Sequence, residues 1–480
     1  MSEDASAAYE FYEKVLGSPK YVLAPMVEQS ELAFRSLCRE YGAQLCYTPM
    51  WHAALFVNNE KYRKAAIETA FHDRPLLFQF CANDPQIFAE ACALAEPYCD
   101  GVDLNLGCPQ VIAARGHYGS YLMEELDLVE EIVKTACARI TKPITCKIRV
   151  YESIEKTVTY AKRLERAGAK ILTVHGRRRD QKGPKTGLAS WDHIKAVKEN
   201  VKIPVFANGN IQYLRDVIKC LEYTKVDGIM SAEGALYNPA IFSGRQPPAW
   251  EMVDSYLAYA EKHTPPVGYI RGHLFRIYLH CLSKYPDLRI PMGLARSFDA
   301  LKEVCKQVKE LCLKDAEKDI AEGKDSEEPD CLPYWRCQPY VRPPINILGK
   351  RTSDDEEKLP RNDYPSKRKL LQIKHQENGG KGLFRNLARN KWPLCKTCGK
   401  NPWGQKCEYN RCRKCCKDIA AVEFLNCKGH KWRFQIITDA VENPKATVIK
   451  SNDQDVTGTI ELSEELNSDK KNIESVLDAP

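Results

Sequence analysis

The chain has 480 residues, of which 44% are hydrophobic and 28% charged, and its formal net charge is +7. This length exceeds one ordinary core and predicts two or three domains, while collagen-like and wholly disordered chains are excluded by the apolar content. No run of about 18 apolar residues is present, so no membrane-spanning helix is expected.

The N-terminal stretch MSEDASAAYEFYEKV is acidic and lacks the basic start and apolar core of a secretion signal. The 21 cysteines are therefore expected as reduced thiols and metal ligands in the cytosol or nucleus. Charge is unevenly distributed. Residues 361–440 hold 19 Lys/Arg against 6 Asp/Glu, 314–330 hold 8 acidic residues against 3 Lys, and 451–480 hold 8 against 2. A basic block between acidic stretches suits a polyanion-binding module, although a solvated linker has the same composition.

In chain order, residues 1–19 form an N-terminal extension. Over 20–245, eight apolar runs (YVLAP, AQLCYTP, PLLFQF, GVDLNL, ITCKIRV, KILTVHG, IPVFANG and DGIMSA) alternate with helix-compatible segments. Such alternation predicts a parallel sheet with crossover helices, and eight units in roughly 215 residues suit an α/β fold of the (β/α)8 TIM-barrel type. An open doubly wound sheet is the other arrangement the pattern allows. Residues 246–320 carry helical periodicity and predict a small helical domain. Residues 321–390 read as a charged linker, 391–435 as a Cys/His module, and 436–480 as a C-terminal segment ending in a disordered acidic tail.

Chemistry gathers where the runs end: Pro25 and Met26, Gln79, Asn105 and Cys108, Lys147, His175, Asn208-Gly209-Asn210, and Ala232-Glu233-Gly234. The C-terminal face of the strands is where barrel enzymes build their sites, and packing does not explain seven such ends. No GxGxxG after a strand and no GxxxxGK(S/T) occurs, which argues against a Rossmann domain or P-loop. ANGNI and SAEGAL lie in the loops after strands 7 and 8, where barrels hold phosphate.

The stretches LAPMVEQSELAFR, YTPM, QFCANDP, DLNLGCP, CKIR, TVHGRRRDQ, ANGNI and SAEGALYNPAIF, in this order over about 20–245, resemble the tRNA-dihydrouridine synthases, flavin enzymes that reduce uracil in tRNA. The similarity is greatest to the eukaryotic type 1 enzymes, which act on D-loop uridines 16 and 17. The resemblance implies bound FMN, with NADPH as reductant and tRNA as partner, and it implies that residues 246–320 contact tRNA. It further implies that Pro25, Met26 and Val27 pack on the flavin ring, and that Gln79 and Lys147 bond its polar edge. His175 would sit on the flavin and substrate side. Asn208, Gly209, Asn210, Ala232 and Glu233 would form the phosphate loops. Asn105 would orient the uracil, and Cys108 would give a proton to C5 while a hydride reaches C6 from flavin N5. Where many family members have Gly-Arg or Ala-Arg, this chain has Ala232-Glu233, so the Glu233 side chain is expected to point away from the phosphate.

Residues 395–430 read C-x2-C-x8-C-x4-C-x2-C-C-x10-C-x2-H, seven cysteines and one histidine. Cys395, Cys398, Cys407, Cys412, Cys415, Cys416, Cys427 and His430 can fill two tetrahedral zinc sites, or one with spare cysteines. The spacing, including RCRKCC, resembles the RING-like finger of plant SHORT INTERNODES proteins. Basic residues, among them Lys396, Arg411, Arg413 and Lys414, interleave with Trp392, Trp403, Tyr409 and Trp432, as phosphate contacts and base-stacking platforms would. Two competing readings are an FMN barrel acting on a free pyrimidine and a non-catalytic zinc-dependent RNA-binding protein.

Overall fold

The computed structural model describes residues 3–342, 393–398, 407–422, 427, 430, 434–438, 446–451 and 457–461. The chain divides into two units, 1–362 and 363–480, taken separately below.

In the first unit, strands β1 (Tyr21–Leu23), β2 (Leu45–Tyr47), β3 (Trp51–His52), β4 (Leu76–Cys81), β5 (Gly101–Leu106), β6 (Ile144–Arg149), β7 (Ile171–His175), β8 (Val205–Asn208) and β9 (Gly228–Ser231) form one sheet. All but β3 lie side by side as parallel neighbours, and β1 pairs with both β2 and β9 while β2 pairs with β4, which closes an eight-stranded barrel. Each of the eight expected runs forms a barrel strand; β3 is a two-residue addition alongside β4. β4 and β5 are buried throughout, as they must be when side chains fill the barrel on one face and helices cover the other.

Local signals start the surrounding helices. Asp84 accepts from Ile87 N at 2.8 Å with Pro85 in the first helical turn, and Ser153 accepts from Lys156 N at 3.1 Å. These caps satisfy backbone donors that the helices cannot pair internally.

The N-terminal extension closes the barrel's lower end. Its helix Glu3–Glu10 runs into a wider turn, Phe11–Val15, and Phe11, Tyr12 and Leu16 join the interior cluster of Val22, Leu45, Leu77, Ile171, Phe206 and Met230. Tyr12 OH donates to Asp227 O at 2.9 Å.

After the barrel come the helices Ala249–His263, Val267–Ile277, Leu279–Lys284, Arg289–Leu294 and Phe298–Ala321. A buried polar joint fastens them to the barrel: Tyr256 OH and His273 Nε2 lie 2.8 and 3.0 Å from the two carboxylate oxygens of Glu31. Burial alone would raise the Glu31 carboxyl, but His273 and these hydrogen bonds hold it below its ordinary value. His273 also stacks on Phe34, ring centroids 4.2 Å apart.

Residues 325–342, which composition placed in a charged linker, pack back onto the helical domain as an ordered strap. Trp335 is 1% exposed, stacks on Trp250 at 5.6 Å and donates from Nε1 to Asp319 at 2.9 Å. Arg336 forks onto Asp325 at 2.7 and 2.9 Å and onto Glu327 at 3.0 Å. Two of the acidic residues that look solvated in the sequence, Asp325 and Glu327, are here the counter-ions of one nearly buried guanidinium.

The second unit holds the Cys/His cluster with a helix, Arg413–Val422, and a three-stranded antiparallel sheet of Phe434–Thr438, Ala446–Ser451 and Thr457–Glu461. The last strand falls where an acidic tail without structure was expected. The remainder of that tail, most of the linker, and Trp392, Trp403 and Trp432 lie outside the described residues. Among the described residues, no helix is long and apolar enough to cross a membrane.

Candidate active site and metal-binding cluster

Strand alternation points every second residue into the barrel. Register pairs Gln79 with Asp103, Asp103 with Thr145, Asn105 with Lys147, and His175 with Asn208, so a polar layer crosses the upper barrel. Asp103 accepts from Thr145 Oγ1 at 2.6 Å and from Gln79 Nε2 at 2.8 Å. Gln79 Oε1 accepts from Asn105 Nδ2 at 2.9 Å. Asn105 Oδ1 in turn accepts the backbone N–H groups of Gly107 and Cys108 at 3.2 and 2.9 Å. Burial pushes the Asp103 carboxyl up to about 6, against the pull of Thr145 and Gln79. Both its oxygens act as acceptors, one for Thr145 and one for Gln79, so it dictates the direction of both amides as far as the Cys108 loop.

Cys108 is half-buried and packs in a small cluster with Met50, Cys81, Ala113, Tyr118 and Tyr121. Its carbonyl accepts from Ser120 N at 3.1 Å and Ser120 Oγ at 3.0 Å. Gly119, at φ +66°, makes this approach possible: a Cβ there would lie 2.8 Å from Cys108 O and 3.0 Å from its Cβ. Arg149, nearly buried, ties the loop down by donating to Gly107 O at 2.8 Å and Arg178 O at 2.7 Å. Lys182 Nζ reaches Pro109 O at 2.5 Å.

Lys147 is half-buried at the mouth, and its ammonium donates to Asn208 Oδ1 at 3.1 Å. Burial, then the nearby Arg149 guanidinium, lowers it to about 8, although Asp103 and Cys108 pull the other way. An ammonium has three donors, so a half-buried Lys147 with one hydrogen-bond acceptor among the described residues has capacity for a ligand acceptor. Burial, with Lys147, Arg149 and Arg177, holds His175 well below its ordinary value, so it is neutral. Arg177 Nη1 lies 3.1 Å from His175 Nε2. A guanidinium can only donate, which leaves Nε2 as the acceptor and the proton on Nδ1.

Arg177 also donates to Asn210 Oδ1 at 2.6 Å. Gly209 has φ +117°, and a Cβ there would come within 2.6 Å of the Ala189 methyl. Asn208, Gly209 and Asn210 thus form a tight loop under a guanidinium, beside Ala232 and Glu233 at the end of β9. Glu233 is paired with Arg342 at 2.6 Å. Pro25 and Met26 are half-buried and Val27 is exposed at the end of β1.

The family model described as "Dihydrouridine synthase (Dus)" matches residues 22–320. The chain belongs to the dihydrouridine synthase family. It is 45% identical over 435 residues, 89% of this chain and 90% of the relative, to "tRNA-dihydrouridine(16/17) synthase [NAD(P)(+)]-like" of Mus musculus. It is 40% identical over 378 residues, 71% of this chain and 88% of the relative, to "tRNA-dihydrouridine(16/17) synthase [NAD(P)(+)]" of Saccharomyces cerevisiae. To "tRNA-dihydrouridine(20a/20b) synthase [NAD(P)+]-like" of Homo sapiens it is 39% identical over 240 residues, 48% of this chain and 75% of that one.

In this family member the barrel brings Gln79, Asn105, Cys108, Lys147, His175 and Asn208 to one end, on five neighbouring strands or the loops that follow them. Sequence reasoning missed Asp103, Thr145, Arg149, Arg177 and Arg342. The first four carry a readable signal, since each lies two residues from a flagged position and so shares its face of the strand, or its exit from it. Arg342 carries none, because it arrives from outside the barrel.

In the second unit the ligand atoms form two groups, Cys395, Cys398, Cys412 and Cys415, and Cys407, Cys416, Cys427 and His430, each with all atoms within 4.8 Å of one another. Separations of 3.7 Å for Cys407–Cys416, 3.9 Å for Cys398–Cys412 and 3.9 Å for Cys407–Cys427 match the ~3.8 Å edge of a tetrahedron with ~2.3 Å zinc–sulfur bonds. The two groups interleave along the chain, and the adjacent Cys415 and Cys416 belong to different ones. Arg411 lies over the Tyr409 ring at 5.7 Å.

Proposed function

We propose that this enzyme reduces the C5–C6 double bond of uridines 16 and 17 in the D-loop of tRNA, with FMN at the barrel mouth and NADPH as the source of electrons. The observation that carries the reading is the placement of Cys108, half-buried, in the loop after Asn105 and next to the strand that carries Lys147. The 16/17 designation of relatives as distant as mouse and yeast supports the choice of uridines.

The donor set suits FMN: Lys147 and Gln79 for the polar edge of the ring, and the 208–210 loop with Arg177 for the phosphate. When bound, FMN supplies the hydride chemistry that side chains lack. Asn105 keeps one amide hydrogen beyond its bond to Gln79 and can orient a uracil carbonyl. Cys108 acts as a general acid that delivers its proton to C5 from a loop fixed by Asn105, Ser120 and Arg149. The chain then needs only a proton from solvent to restore the thiol.

We assign two zinc ions to the interleaved groups of the second unit, Cys395/Cys398/Cys412/Cys415 and Cys407/Cys416/Cys427/His430. The basic residues around them add phosphate contacts to tRNA binding.

Cys108→Ala tests the central claim. The variant is expected to remain yellow with unchanged FMN affinity while dihydrouridine formation falls by about 10²–10⁴-fold, the usual contribution of a positioned acid. Turnover near that of the parent enzyme would remove Cys108 from this role.

A further inference from the structure

At Tyr340 and Arg342 the strap reaches the barrel mouth, in register with the short helix Glu233–Tyr237. Tyr340 stacks on Tyr237, centroids 6.1 Å apart at 23°, and Arg342 Nη2 donates to Glu233 Oε1 at 2.6 Å. Four residues of helix rise about 6 Å, and two residues of extended chain advance about 6.6 Å. The Tyr340–Tyr237 and Arg342–Glu233 contacts are therefore two matched rungs. Upstream, the strap is held by Cys337 N on Pro247 O at 2.9 Å, Ala249 N on Trp335 O at 2.8 Å and His280 against Pro339 O at 3.2 Å.

Position 342 is thus set by the fold, and its charge is incompletely used. Arg177 spends its donors on His175, Gly187 and Asn210. Arg342 has five donors and makes one hydrogen bond among the described residues, to a carboxylate that is itself 41% exposed. The two guanidiniums lie close enough for Arg342 to depress Arg177, after the larger effect of burial. Glu233 pairs with Arg342, and Arg177, bonded to Asn210 of the tight 208–210 loop, adds a second cation near the same carboxylate, a net positive corner open to a second anion.

We propose that Arg342 is a ligand of the cofactor's phosphomonoester, carried to the barrel mouth by the strap and held ready there by Glu233. This deepens the FMN reading and rests on it. Glu233 then serves through its side chain as the positioning partner of Arg342, and the phosphate completes the guanidinium's bidentate capacity.

The test is a titration of flavin-stripped, full-length protein with FMN and with riboflavin, which lacks the phosphate. Arg342→Ala is expected to weaken FMN about tenfold, Arg342→Glu further, and Arg342→Lys to restore part of the loss. Riboflavin affinity should not change, the FMN difference should shrink in high salt, and the apo-protein's thermal midpoint should stay within a degree or two, because exposed ion pairs contribute little stability. An unchanged ratio of FMN to riboflavin affinity in every variant overturns the proposal, whether or not tRNA binding falls. So does an equal loss for both flavins, which would make the strap a shape element only. In these cases parental discrimination between the two flavins leaves the FMN reading standing; a parent protein that binds neither flavin removes both.

Discussion

Lys147 and Asp103 occupy the same polar layer with opposite electrostatic problems. Burial raises the Asp103 carboxyl while Thr145 and Gln79 donate to it, and the chain of bonds aligns two amides and the backbone of the Cys108 loop. Lys147 is lowered to about 8, chiefly by burial, so its charge is lost as pH rises through that value, and with it the charge assistance to the proposed bond with an acceptor edge of the flavin. FMN affinity should therefore be level below about pH 7 and weaken above pH 8. Lys147→Arg, which does not titrate in this range, should abolish that limb even where it lowers affinity overall. Flavin fluorescence titrations from pH 6 to 9 measure both effects, and a pH-independent affinity in the parent protein would contradict the assignment. Much of this layer was legible: polar and titratable residues ending apolar runs betray a barrel mouth. Asp103 was not, because a lone acid inside DLNL looks like an interruption until Gln79 and Thr145 are seen across the register.

At the scale of elements, the strap is where composition misleads. Residues 314–330 are rich in acid, and acid-rich stretches are usually solvated. Here Asp325 and Glu327 surround Arg336, and Asp319 receives the Trp335 indole, so the charges enclose an anchor instead of repelling into solvent. The clue was WRC, a large aromatic among charges, whose burial partner Trp250 lies too far along the chain for periodicity to reveal. Trp335→Ala should cost about 3–5 kcal/mol of stability, as for other large aromatic truncations, read as a lowered urea midpoint. It should also weaken FMN more than riboflavin, because the strap that carries Arg342 loses its anchor. A shift under about 1 kcal/mol would mean that the tryptophan is only laid against the helices. The barrel strands, by contrast, were legible in full. Buried parallel strands read as unbroken apolar runs between helices, and each run here is short and bounded by turn residues.

For the molecule as a whole, the proposed catalytic residues lie in unit 1–362 and the proposed zinc ligands in unit 363–480, so the two proposals can be tested separately. Stripping zinc from the full-length enzyme should leave FMN binding intact while lowering tRNA affinity and flattening its dependence on salt, since fewer phosphates are neutralised; an unchanged slope would give the second unit another task. The ligand pattern adds a consequence of its own. Cys415 and Cys416 are joined by a single peptide bond yet face different groups, and Cys407 lies between the pairs Cys395/Cys398 and Cys412/Cys415 in the chain. If two zinc ions are bound as proposed, capturing one should draw the other site's thiols together before its metal arrives. Native mass spectrometry at half-stoichiometric zinc should find chains with both ions and chains with none, and few carrying one.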